Sequence, residues 1–267
     1  MTLIIPFIEP PSCSAVGYDP IALAESMRKI VERDGRRRYY RFRGGKWYGG
    51  IATADCVGCN LRCIFCWSNV PRDNPSMGWK FYSPEEVYSN LRRIAERRRY
   101  RLLRISGNEP TICWDHLIRV LELVEEDGRF NFILETNGII IGRDRSKAED
   151  LSRFSRVHVR VSLKGTCEEE FSLLTGAKPE AFELQLMALR NLADYNVPAH
   201  PAAMLSFSSR ENIKKLIERL KEIDEGYAAE FEEEYVFLYP HVKERLRKAG
   251  VVPITAYEPD KVPDELV

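Results

Sequence analysis

Apolar residues recur every three or four positions between 20 and 34. Ile21, Ala24, Met27, Ile30 and Val31 fall on one face there, and the spacing predicts an amphipathic helix. Ahead of it, residues 1 to 18 contain three prolines and read as an extended arm. Residues 36 to 54 are basic and then glycine-rich, with Tyr39, Tyr40, Phe42, Trp47 and Tyr48 interleaved. That make-up suits a small hairpin feeding a first core strand near 50 to 55. A strand–helix alternation then sets in. A helix over 84 to 99 opens on Ser83 as N-cap, Pro84 at the first turn and Glu86 three residues after the cap. Strands are expected over 101 to 106, 131 to 135, 157 to 163, 199 to 206 and 235 to 239. Helices are expected over 114 to 126, 180 to 194, 211 to 223 with Ser209 as cap, and 241 to 249 ending at Gly250.

This order gives six βα units. Parallel strands joined by helical crossovers bury both faces, so the expected class is α/β, as a partial (βα)6 TIM-like barrel with a small N-terminal extension. The expected divisions are 1–48 as arm, helix and basic extension, 49–240 as core domain, and 241–267 as C-terminal helix and tail. Polar, glycine-containing runs follow the strands at Gly107-Asn108-Glu109-Pro110, Thr136-Asn137-Gly138 and Lys164-Gly165. In α/β folds the C-terminal edge of the strands is where ligands bind.

Composition narrows the class. The 267 residues are 44% hydrophobic, enough for one large core, and Lys+Arg and Asp+Glu balance at 40 each. The whole chain is therefore no polyanion binder by composition. No apolar run approaches the roughly 20 residues of a membrane span. The N-terminus has no basic region ahead of its apolar residues, so no signal peptide is expected and the location expected is cytoplasmic. Gln185 is the sole glutamine and charged residues make up 30%, a bias expected of a thermophile.

The chemistry is concentrated in Cys56, Cys59, Cys63 and Cys66, four of seven cysteines, inside the run Cys-Val-Gly-Cys-Asn-Leu-Arg-Cys-Ile-Phe-Cys-Trp. Clustered thiols argue for a reducing compartment and a soft metal site, either iron–sulfur or a four-cysteine zinc knot. Zinc knots usually separate two cysteine pairs by a long loop, whereas only three residues lie between Cys59 and Cys63. With Cys56 left out, three thiolates leave one iron of a cubane open. Cys13, Cys113 and Cys167 have no partner spacing, and His158 and His200 read as core or barrel-facing residues.

The run Cys59-x3-Cys63-x-Phe65-Cys66 after an early strand resembles the cluster loop of the radical S-adenosylmethionine (SAM) superfamily. The resemblance covers roughly residues 50 to 240. It implies that Cys59, Cys63 and Cys66 hold a [4Fe-4S] cluster whose fourth iron takes SAM, with Phe65 near the adenine. Gly107-Asn108-Glu109-Pro110 resembles the family's Gly-Gly-Glu-Pro segment for the SAM amino group, with Asn108 in place of the second glycine. Thr136-Asn137-Gly138 and Ser162-Leu163-Lys164-Gly165 look like the Thr-Asn-Gly and Asp-Leu-Lys-Gly elements of glycyl-radical activases. There Lys164 pairs with the SAM carboxylate, and the aspartate is Ser162 here. The implied activity is an oxidoreductase-type reductive cleavage of SAM to a 5′-deoxyadenosyl radical, with ferredoxin or flavodoxin as electron donor and a protein or peptide as substrate.

Two alternatives stay open. Cys-Ile-Phe-Cys-Trp also resembles the loop of wybutosine-type tRNA-modifying members. Arg36, Arg37, Arg38 and Arg41 with Tyr39 and Tyr40, and the group from Arg92 to Arg104, offer phosphate and base contacts for RNA. A non-enzymatic zinc or iron–sulfur module is the third reading.

Overall fold

The computed structural model describes residues 17–263. The expected arm and Cys13 lie outside the described residues, apart from the last two positions of the arm. Strands β1 (Glu32–Arg33) and β2 (Arg36–Gly45) form an antiparallel hairpin, and β2 runs antiparallel along β3 (Ile51–Cys56). A short β4 (Lys80–Tyr82) pairs with the start of β2. From β3 the sheet is parallel and follows chain order through β5 (Leu102–Ser106), β6 (Asn131–Thr136), β7 (Val157–Leu163), β8 (Ala199–Met204) and β9 (Glu232–Glu234). Six parallel strands with helical crossovers make the expected partial barrel, and β2 extends its first edge. A separate parallel pair, β10 (Val236–Phe237) and β11 (Ala256–Tyr257), follows β9.

Alternation along each strand sorts the side chains. Leu103, Ile105, Phe132, Leu134, Val159 and Val161 point outward into the core shared with the helices. Arg104, Ser106, Glu135, Arg160 and Ser162 point into the barrel. The helix Pro84–Arg98 starts with the expected capping box, Ser83 and Glu86 each bonding the other's backbone N–H. The N-terminal helix Pro20–Val31 buries Ala24, Met27 and Val31, while Ile30, assigned to the same face, is exposed.

The sixth parallel strand departs from expectation. It is Glu232–Glu234, not 235 to 239, where only the two-residue β10 forms. Three consecutive glutamates carry no apolar signal. They form a strand because Arg160 and Lys164 neutralise Glu232 and Glu234 inside the barrel. Helices Asn69–Asp73, Ile139–Arg143, Ser146–Ser152, Glu168–Thr175 and Glu225–Ala229 are too short to show a helical period in sequence.

Candidate active site

The cysteine loop leaves β3 at its C-terminal end. Gly58 turns there with φ +88°, and a Cβ at that position would lie 2.8 Å from Met27 and 2.9 Å from Val31. The N-terminal helix is thus packed directly beneath the loop. The loop's carbonyls are gathered by cations: Arg72 Nη1 donates to Cys63 O (2.6 Å), Arg245 Nε to Ile64 O (2.9 Å) and Arg245 Nη2 to Cys66 O. His241 Nε2 lies 3.0 Å from Trp67 O. Both Arg245 and His241 come from the helix Pro240–Ala249. Tyr18 Oη accepts from Arg62 N (2.8 Å), tying the far side of the loop to the body of the fold.

Cys59, Cys63 and Cys66 line one cavity of about 590 Å³ at the C-terminal end of the parallel strands. Cys56 does not: it is fully buried in the helix-side core, one residue after the inward-facing Asp55. Burial pushes the Cys63 thiol up to about 11, with Lys164 and Arg72 pulling the other way. Burial and then Glu109 raise Cys59 further. Without metal these groups are neutral thiols, and a metal that binds them releases their protons.

Three strand tips meet the loop. Gly107, with φ +89°, leaves no room for a Cβ against Tyr40 and Asp55. Asn108 Oδ1 accepts from Gly58 N (2.9 Å), and its Nδ2 donates to Ser68 O (3.1 Å) and Gly107 O (2.7 Å). The asparagine therefore staples the strand tip to both ends of the cysteine loop, and positive φ at this turn falls on Gly107, not on Asn108. Glu109 is buried, with its carboxylate accepting from Thr111 Oγ1 and Thr136 Oγ1 (both 2.7 Å) and from Asn137 N (2.8 Å). Asn137 Nδ2 donates to Asn60 Oδ1 (2.7 Å) and lies 4.0 Å from Cys59 Sγ. Lys164 donates to Ser162 Oγ and sits 3.8 Å from Glu234. Ser162 itself donates to Glu234 (2.6 Å), so a carboxylate from β9 stands beside Lys164 where the sequence pattern has lost its aspartate.

Gln185 was not among the expected site residues. It is fully buried, donates to Asn137 O (2.6 Å) and Ser162 O (3.1 Å), and accepts from Lys164 N (3.0 Å). Its one sequence signal was solitude, as the lone glutamine of a chain poor in that residue.

The barrel interior below is charged but paired. Arg104 bonds Glu135, and Arg160 bonds both Glu232 and Glu234. Burial raises the Glu234 carboxyl, but Arg160, Lys164 and Ser162 outweigh it and hold it down at about 2. His158 and His200 approach to 2.6 Å, and His200 reaches Glu232 at 3.1 Å, so both belong to this polar interior.

The basic–aromatic segment is dispersed. Arg37 and Tyr39 are buried, Arg36 pairs with Glu86, and Arg104 lies inside the barrel. Phe65 lines the cavity and packs 5.9 Å from Phe207. Cys113 is buried beneath the N-terminal helix, and Cys167 stands at the N-cap position of the helix Glu168–Thr175 without a side-chain capping bond. Among the described residues, no three His, Cys, Asp or Glu side chains converge on a single-ion position.

Comparison with known proteins bears on this arrangement. The family model described as Radical SAM superfamily matches residues 55–223. The crystal structure of Streptococcus suis SuiB bound to S-adenosylmethionine is similar with a TM-score of 0.51 and 21% identity, over 65% of this chain and 36% of that one. Native anSMEcpe with bound AdoMet and peptide gives 0.52 and 20%, over 68% of this chain and 48% of that one. A spore photoproduct lyase variant with AdoMet and a dinucleoside spore photoproduct gives 0.56 and 12%, over 78% of this chain and 63% of that one. At these identities the likeness is one of fold, and this chain spans less than half the length of the first two. No curated protein matches the chain.

Proposed function

The chain belongs to the radical SAM superfamily, and from that membership we propose that Cys59, Cys63 and Cys66 hold its [4Fe-4S] cluster, that SAM binds over them, and that the substrate is a protein or peptide. The carrying observation is that these three thiols, and not Cys56, line the cavity at the strand tips. The donor set suits the group: thiolates are soft ligands for iron. Two buried nitrogens without a hydrogen-bond partner, Asn60 Nδ2 and Arg245 Nη1, belong to residues in or against the cysteine loop. Such donors stabilise the negative charge of sulfur ligands.

When bound, the cluster supplies one electron to the SAM sulfonium, which yields methionine and a 5′-deoxyadenosyl radical that takes a hydrogen atom from the substrate. The chain's part is to bind and orient. In this reading Lys164 pairs with the SAM carboxylate, Asn137 and the backbone of Gly107 to Glu109 meet its amino group, and Phe65 packs near the adenine. Glu109 acts by holding the tips of β5 and β6 together. Ferredoxin or flavodoxin is the proposed electron donor and the cytoplasm the proposed location. No described helix is long and apolar enough to cross a membrane.

A peptide substrate is in line with the peptide bound in the anSMEcpe structure. The tRNA reading is less well supported, because Arg37 and Tyr39 are buried. A four-thiolate zinc module needs Cys56, which is turned to the other face of β3. The test is anaerobic reconstitution followed by SAM and a strong reductant. We expect 5′-deoxyadenosine and methionine, loss of the catalytic cluster on replacing Cys59, Cys63 or Cys66 with Ala, and most iron and sulfide retained in Cys56→Ala. S-adenosylhomocysteine as the only nucleoside product would overturn the reaction class, and equal iron loss in Cys56→Ala would overturn the ligand set.

A further inference from the structure

The cations of the cavity are not all matched alike. Arg104 has Glu135, while Arg160 and Lys164 have Glu232 and Glu234. Arg41 and Arg43 share one carboxylate, the fully buried Asp55, at 2.7 and 2.8 Å. Among the described residues Arg41 makes one ion pair, through Nε, and its side chain is 45% exposed. Two guanidiniums on one carboxylate leave a local excess of one positive charge. The two other acidic residues on the cavity wall make no ion pair with either arginine: Glu109 is held by Thr111, Thr136 and Asn137, and Glu233 is bonded by Tyr235.

The backbone explains why both arginines face inward. In the β2–β3 register Arg41 lies opposite Asp55 and Arg43 opposite Thr53, so they share the barrel-facing side with those residues. A bulge between Tyr39 and Arg41 lets Tyr39 face the core while Arg41 faces the cavity. The strand that carries them precedes residue 55, where the match to the family model begins. Both arginines therefore lie outside the matched segment. Trp67, directly after the last cysteine of the loop, is 43% exposed, and both guanidiniums lie over its ring at 5.8 and 5.9 Å. The excess charge is thereby held against the cysteine loop.

We infer that Arg41 and Arg43 form an oxyanion subsite that holds a carboxylate or phosphate group of the substrate beside the reacting centre. Arginine presents a planar fork of donors matched to either group. The inference rests on the radical SAM reading for its chemistry, but its test is a binding measurement that stands apart from SAM cleavage.

Cluster-loaded protein saturated with SAM is titrated calorimetrically with inorganic phosphate and, separately, with acetate, in a zwitterionic buffer. At least one anion should bind at a single saturable site. Arg41→Gln should weaken that binding about tenfold or more, the usual scale of a lost charge-assisted hydrogen bond, and Arg41→Lys should fall between. Preference for phosphate assigns a phosphorylated substrate, and preference for acetate assigns a carboxylate, such as an acidic peptide side chain. Melting curves identify a variant that has lost its fold, in which case wild type and Arg41→Lys decide. No saturable binding of either anion to the wild type would overturn the subsite. So would unchanged affinity in folded Arg41→Gln, or an isotherm that SAM abolishes, which would make these arginines part of the SAM site. Failure of the radical SAM reading would show instead as absent SAM cleavage in the unaltered protein.

Discussion

Asn108 and Gln185 each use one amide to join segments far apart in sequence. Asn108 joins residues 58 and 68 of the cysteine loop to the tip of β5, and Gln185 joins the tips of β6 and β7. Both act through geometry, whereas Lys164 is placed to act through charge. The two roles separate on mutation. Gln185→Leu leaves two buried carbonyls and one N–H without partners and should cost roughly 2–4 kcal/mol, read by denaturant titration. Lys164→Ala leaves its backbone bond to Gln185 in place. With Arg160 still pairing Glu234, it should cost less stability than Gln185→Leu and weaken SAM binding about tenfold. Wild-type SAM affinity in Lys164→Ala would remove the lysine from the SAM site.

At the scale of elements, the cysteine loop is held from three directions. The helix Pro20–Val31 lies beneath Gly58, β5 presents Asn108, and the helix Pro240–Ala249 brings Arg245 and His241. Arg245 bonds two carbonyls of the loop, those of Ile64 and Cys66. Replacing it with Ala should therefore lower iron and sulfide content after reconstitution by about half or more, with the barrel still folded by circular dichroism, because half-buried carbonyls left unpaired favour a rearranged loop. Iron content equal to wild type would show that the loop holds its shape without the C-terminal helix. Little of this support was legible in the sequence. The cysteine spacing, the strand tips at Gly107, Asn137 and Lys164, and the capping box at Ser83 could be read because each is a local pattern. Arg245 and Gln185 could not, since their partners are 21 to 181 residues away. The strand Glu232–Glu234 was hidden for a related reason: its burial depends on cations supplied by β7, and no window of its own sequence contains them.

For the molecule as a whole, the N-terminal hairpin and the barrel are joined through a buried histidine. His116, on the helix Trp114–Asp127, contacts Gly35 O at 2.9 Å through Nδ1 and Tyr39 Oη at 3.1 Å through Nε2. A carbonyl can only accept, so Nδ1 carries the proton and Nε2 accepts from the tyrosine. Protonating Nε2 would force the tyrosine hydroxyl to turn from donor to acceptor and would place a charge beside Arg37. Burial, reinforced by Arg37, lowers the His116 pKa to about 4 although Gly35 and Glu85 oppose the shift. The unfolded chain then binds the extra proton more readily than the folded one. Stability from this group is complete above about 6.5, declines as pH falls, and is exhausted below about 4. The loss is on the order of 3 kcal/mol. His158, lowered by burial and by His200, adds a loss of the same sign, so His116 is isolated by difference. Wild type and His116→Gln should be unfolded in denaturant at pH 7 and pH 5. The wild type should lose more stability between the two, because glutamine cannot titrate. Equal losses would show that His116 takes up its proton without opening the contact between hairpin and barrel.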